Sequence, residues 1–65
     1  MKPHQQRVVD EKQALDGNID KLYAFFSNPI YSDVPAAEQV RLVRQYSAMR
    51  QYSSILGERI EAFTD

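Results

Sequence analysis

Three features of the sequence predict an all-α fold, an antiparallel hairpin of two helices that self-associates into a helical bundle. Apolar residues recur at helical spacing along two long stretches. The helix breakers are gathered between those stretches. The connection is short enough that the second helix must return along the first. All 65 residues then form one helical-hairpin domain.

The first helix is expected over about residues 4–27. Val8, Leu15, Ile19, Leu22 and Phe26 follow one another at the spacings of a single helix face. Gly17 interrupts the run at a cost of about 1 kcal/mol, which the apolar face outweighs. The connection, about residues 28–34, holds two of the three prolines in Ser27-Asn28-Pro29-Ile30-Tyr31-Ser32-Asp33-Val34-Pro35. Proline disfavours helix in the residue before it. A start near Asp33 to Pro35 suits the second helix, because Asp can cap and Pro is tolerated in the first turn. That helix is expected to run over about residues 35–63. In it Leu42, Met49, Leu56 and Phe63 recur every seventh residue, and Tyr46, Ser53 and Ile60 follow the first three by one turn. Antiparallel alignment sets Val8 near Ile60 and Phe63, Leu15 near Leu56, Leu22 near Met49, and Phe26 near Leu42 and Tyr46.

Two helices bury only one stripe each, which is little for a chain that has no cysteine to staple it. Zinc offers no substitute, since His4 is the single imidazole and structural zinc is held by thiolate and imidazole. A second, weaker apolar strip (Val40, Val43, Ala48, Ile55 and Ala62) lies outside the seam, as do Val9, Tyr23 and Phe25. These are read as surfaces for a homo-oligomer, a dimer or higher, although isolated surface apolar residues are ordinary.

Composition narrows the function. At 43% hydrophobic and 26% charged the chain suits a folded domain. A net charge of -1 disfavours nonspecific nucleic-acid binding, which needs a cationic surplus. No apolar run approaches the roughly 20 residues of a membrane span, and the opening residues lack a signal-peptide core, so the expected location is the cytoplasm. No nucleophile, base and acid can be grouped around His4, the two glycines are isolated, and no catalytic role is assigned. Asp16 and Asp20 stand one turn apart and could hold a cation weakly, but a solvated face explains them better. No metal and no cofactor is expected.

The residues that invite a binding role form a polar line. Gln45, Tyr52 and Arg59 recur every seventh residue beside Met49 and Leu56. The hairpin register sets Arg7, Glu11 and Lys12 opposite its far end. Glu11 or Lys12 stands where the first stripe should be apolar, and a buried charge needs a partner. On a structural reading Glu11 pairs with Arg59, and Tyr52 and Gln45 hydrogen bond to fix the register. On a functional reading Arg7, Glu11, Gln45, Tyr52 and Arg59 make a ligand pocket at the open end or between protomers, where arginine grips an anion and tyrosine stacks on a ring. Arg41, Arg44, Arg50 and Arg59, interleaved with Tyr46 and Tyr52, are a second anion-binding candidate. The echo of Arg44-Gln45-Tyr46-Ser47-Ala48-Met49 in Arg50-Gln51-Tyr52-Ser53-Ser54-Ile55 turns its copies to different faces, so no shared role is assigned.

The run Gln6-Arg7-Val8-Val9-Asp10-Glu11-Lys12, with Leu15, Lys21-Leu22, Phe26, Gln45, Met49, Tyr52-Ser53-Ser54-Ile55-Leu56-Gly57-Glu58-Arg59-Ile60 and Phe63, resembles a family of short phage and prophage proteins first noted in crAss-like phages. The resemblance covers nearly the whole chain and implies phage origin and action inside a bacterial host. It carries over no activity and no catalytic residue. By analogy with small helical phage oligomers, the expected function is counter-defence, sequestering a small anionic nucleotide-type immune signal in pockets of the assembly. The alternative is a protein-interaction module that docks on a host or phage protein through Val40, Val43, Ile55, Tyr23, Phe25 and Tyr31. A structural component of the phage is a third reading.

Overall fold

The computed structural model describes residues 1–64. Two long helices, α1 (Pro3–Phe25) and α2 (Ala36–Glu61), fold back on each other across one turn of 3-10 helix at Pro29–Asp33. Both limits lie within two residues of the periodic patterns. The result is a rod of 49 × 15 × 13 Å.

α1 starts at Pro3, where a missing N–H costs nothing. Gln5 acts as the cap, its side-chain oxygen accepting from the Lys2 backbone N–H at 2.9 Å. The α1 C-terminus tightens into 3-10 bonds, Ser27 N–H to Ala24 and Asn28 N–H to Phe25. Asn28 then accepts from Ile30 N–H at 2.9 Å, an Asx turn that launches the 3-10 segment with Pro29 at its first position.

The cap of α2 departs from expectation. Pro35, not Asp33, holds the N-cap position, and no side chain caps it. Asp33 is already spent as the last residue of the 3-10 turn. Order comes instead from Gln39, whose amide donates to the carbonyls of Tyr31 at 2.9 Å and Val34 at 3.0 Å. One side chain of α2 thereby ties down the loop that precedes it.

The core is thin. Leu56 is fully buried and Val8 nearly so, while Leu15, Ile19, Leu22, Leu42, Met49, Ile60 and Phe63 are half-buried. Toward the loop the packing is aromatic. Phe26 meets Tyr46 and Tyr31 edge-on at centroid distances of 5.6 and 5.3 Å, and Tyr23 lies tilted against Tyr46 at 5.7 Å. Phe25 packs edge-on against Tyr31. The pairing of Phe26 with Tyr46 confirms the antiparallel register. Phe25 and Tyr31 serve the turn and are half-buried rather than free surface, whereas Tyr23 keeps 61% of its surface exposed.

No described helix is long and apolar enough to cross a membrane.

Candidate functional site

Polar side chains between the helices are concentrated toward the open end, in two groups. The inner group is Lys12, Asp16 and Ser53. Ser53 is buried in the α2 seam, at a position where the heptad pattern otherwise places an apolar residue. The Lys12 ammonium donates to the Ser53 hydroxyl at 2.8 Å and to the Asp16 carboxylate at 3.0 Å, and Ser53 donates to the other Asp16 oxygen. Each charge therefore has a partner, as a partly dry position requires. The Ser53 hydroxyl and then the Lys12 ammonium hold the Asp16 carboxyl below its ordinary value near 3.8. Lys12 packs over Gly57, where a Cβ would meet Lys12 Cε at 3.5 Å, in ordinary van der Waals contact.

The outer group lies along one edge of the hairpin. Tyr52 donates its phenol to the Glu11 carboxylate. Arg59 follows Tyr52 by two turns on the same face, and Arg7 precedes Glu11 by one turn, so both guanidiniums flank this contact toward the open end. Both are exposed, and among the described residues neither makes a hydrogen bond or ion pair. The expected Glu11–Arg59 ion pair is not formed. Glu11 is satisfied by Tyr52, and Lys12 is the residue that turns inward, toward Ser53. Gln45 stands apart from these four, further toward the loop, and its amide reaches only the Met49 sulfur at 3.7 Å.

None of these five residues lines either of two concave regions formed by the described residues. A groove of about 390 Å³ runs over the loop end of α2, between Tyr31, Ala36, Gln39, Val40, Val43 and Arg44. A hollow of about 280 Å³ lies beside the inner polar group, between Asp16, Ile19, Arg50, Ser53 and Ser54. Arg44 and Arg50, two of the α2 arginines, stand at these hollows, with Arg50 over the Tyr46 ring at 5.7 Å. The edge of a lone hairpin thus presents cations and a ring outside both of these concave regions.

Two features of this end are missing from the sequence reading. One is the Lys12–Asp16–Ser53 bridge, whose trace in the sequence is a serine in the apolar seam with a lysine opposite. The other is Gln5, buried while its amide donates to the Thr64 carbonyl at 3.1 Å, closing the helix ends onto each other. Asp16 is engaged by Lys12 and Ser53, and among the described residues no cluster of three His, Cys, Asp or Glu side chains is arranged around a metal position.

The match to a known family spans residues 2–62, so it takes in both helices, the turn and every residue of the polar edge. The chain belongs to the Sequestin family. No curated protein and no solved structure matches it. The family name suggests a sequestering function.

Proposed function

We propose that this chain is a non-enzymatic sequestering protein of a phage, acting in the cytoplasm of the bacterial host, and that it withholds a small anionic nucleotide-type immune signal. The observation that carries the reading is the open-end edge, where Arg7 and Arg59 follow the Tyr52–Glu11 contact toward the helix ends, exposed and without a hydrogen bond or ion pair among the described residues. Guanidinium groups bind phosphate oxygens in bidentate fashion, and a phenol ring stacks on a base. Membership of the Sequestin family supports binding as the task.

Glu11 sharpens the reading. A carboxylate repels a phosphate placed beside it, and a hydrogen bond from the Tyr52 hydroxyl does not cancel that charge, so the phosphates of the ligand would sit on Arg7 and Arg59, away from Glu11. A ribose hydroxyl is a natural further donor to the same carboxylate. Because the edge is open, enclosure of a ligand requires a second surface, which a homo-oligomer supplies.

Calorimetry of the full chain against a panel of cyclic oligonucleotides and related nucleotide signals tests the proposal. Heat of binding is expected for at least one member, with Arg59→Ala and Tyr52→Ala abolishing it while the helical signal is kept. No heat with any member overturns the nucleotide assignment.

A further inference from the structure

Glu11 and Lys12 are neighbours in α1, as Tyr52 and Ser53 are in α2, and each pair is divided between the two flanks of the apolar seam. On one flank Lys12 donates to Ser53 at 2.8 Å, with Asp16 bonded to both. The hollow between Asp16, Ile19, Arg50, Ser53 and Ser54 opens on this flank. On the other flank Glu11 accepts from Tyr52.

Helix geometry ties the two contacts together. Successive residues of a helix point about 100° apart, and seen down a common axis two antiparallel helices wind in opposite senses. A step back from Lys12 to Glu11 and from Ser53 to Tyr52 therefore swings both side chains to the same edge. Arg7, one turn before Glu11, and Arg59, two turns after Tyr52, lie on that edge as well.

Burial shows which contact governs the other. Ser53 is 8% exposed and Lys12 is half-buried, so losing their hydrogen bond strands polar groups away from water. Tyr52 is 41% exposed and Glu11 is exposed, so water competes for their hydrogen bond and it holds the helices weakly. A Lys12 without its partner turns out toward water. The roll of α1 that carries Lys12 outward carries Glu11 into the seam by the same angle, away from Tyr52.

We propose that Lys12, Asp16 and Ser53 are positioning residues for the binding edge. From the opposite flank they fix the roll of α1 against α2 at which Glu11 meets Tyr52 and Arg7 shares an edge with Arg59. The edge's task rests on the proposed function, whereas the linkage between the flanks belongs to the hairpin and is measured without a ligand.

A double-mutant cycle of Tyr52→Phe and Glu11→Ala, read by urea unfolding of the full chain at one protein concentration, measures that linkage. In the parent chain the two changes should be coupled by about threefold or more in the folding equilibrium constant. The coupling should vanish when the cycle is repeated with Ser53→Ala or with Lys12→Ala, and persist with Ser53→Thr, which keeps the hydroxyl. A bridge that only stabilises the hairpin lowers all members of a cycle alike and leaves the coupling intact. Lys12→Ala puts the best helix former in α1, so it reports on the linkage even where Ser53→Ala does not fold. Coupling that survives in either background, or collapse of the hairpin in both, overturns the positioning role. Any nucleotide of the calorimetry panel that the parent binds should bind Lys12→Ala about tenfold more weakly or worse, and equal affinity also overturns it. Coupling that follows the bridge in a chain that takes up no nucleotide defeats the proposed ligand and leaves the linkage standing.

Discussion

The two ends of this hairpin are held by different chemistry. At the loop end Tyr23, Phe25, Phe26, Tyr31 and Tyr46 pack ring against ring around a turn that Asn28 and Gln39 tie with hydrogen bonds. At the open end the apolar anchors are Val8 and Leu56, and register is set by the Lys12–Asp16–Ser53 bridge, the Tyr52–Glu11 contact and the Gln5 clasp on Thr64. Rings near a turn join residues close in sequence, so little chain entropy is lost in bringing them together. The open end joins residues from opposite ends of the chain and slides easily along a smooth apolar seam. Directional polar contacts oppose that sliding.

The largest effect should come from removing the anchor. Leu56→Ala is expected to cost about 2–5 kcal/mol, measured by urea or thermal unfolding, because among the described residues Leu56 is the one fully buried large side chain. In a chain this small about 1 kcal/mol moves the melting midpoint by roughly 4–8 °C, so much of the helical signal should be lost near room temperature. A midpoint within a few degrees of the parent would show that the core lies elsewhere.

Ser53→Ala comes next, at about 1–3 kcal/mol, since it strips one partner from both Lys12 and Asp16 in a partly buried place. Ser54→Ala, one residue on and exposed, should change stability by less than about 0.5 kcal/mol. Equal losses for the two serines would mean that the bridge does not pin the helices.

Tyr46→Leu keeps bulk at the loop end and removes its ring contacts with Phe26 and Tyr23, for an expected loss of about 1 kcal/mol. Gln39→Ala should cost about as much by releasing the carbonyls of Tyr31 and Val34. Hydrogen exchange would then quicken in the 3-10 turn and leave the open end unchanged.

The smallest effect is a pH dependence. Asp16 in the folded chain keeps its proton off to lower pH than in the unfolded chain, so folding gains stability above a pH of about 3.8. That gain disappears as the pH falls from there through the depressed value. Asp16→Asn should flatten the acid limb of an unfolding series while leaving the limb near neutrality unaltered in slope. An unchanged acid limb would remove Asp16 from the account.

The polar groups show where sequence reasoning stops. Heptad spacing set Gln45, Tyr52 and Arg59 on one face with Arg7, Glu11 and Lys12 opposite its far end, and showed that a charge at Glu11 or Lys12 would meet the seam. It did not decide which of the two turns inward, because neighbours on a helix differ by about 100° in direction and a small rotation of α1 exchanges them. The fold placed Lys12 there, against Ser53, and so gave Glu11 to Tyr52 rather than to Arg59. The Gln5 clasp was equally hidden, since it pairs an amide with a backbone carbonyl that any residue could offer.

Helical periodicity, the gathered prolines and the short connection were enough to determine two helices, their antiparallel return and the face that each buries. Those are properties of one chain's local spacing, and hydrophobic burial reads spacing without regard to detail. Which polar side chain meets which, and that the arginines of the polar edge find no partner among the described residues, were decided only by the packed hairpin. Hydrogen bonds depend on distances of tenths of an ångström and on direction, and these exist only once the helices have taken up their rotation and register.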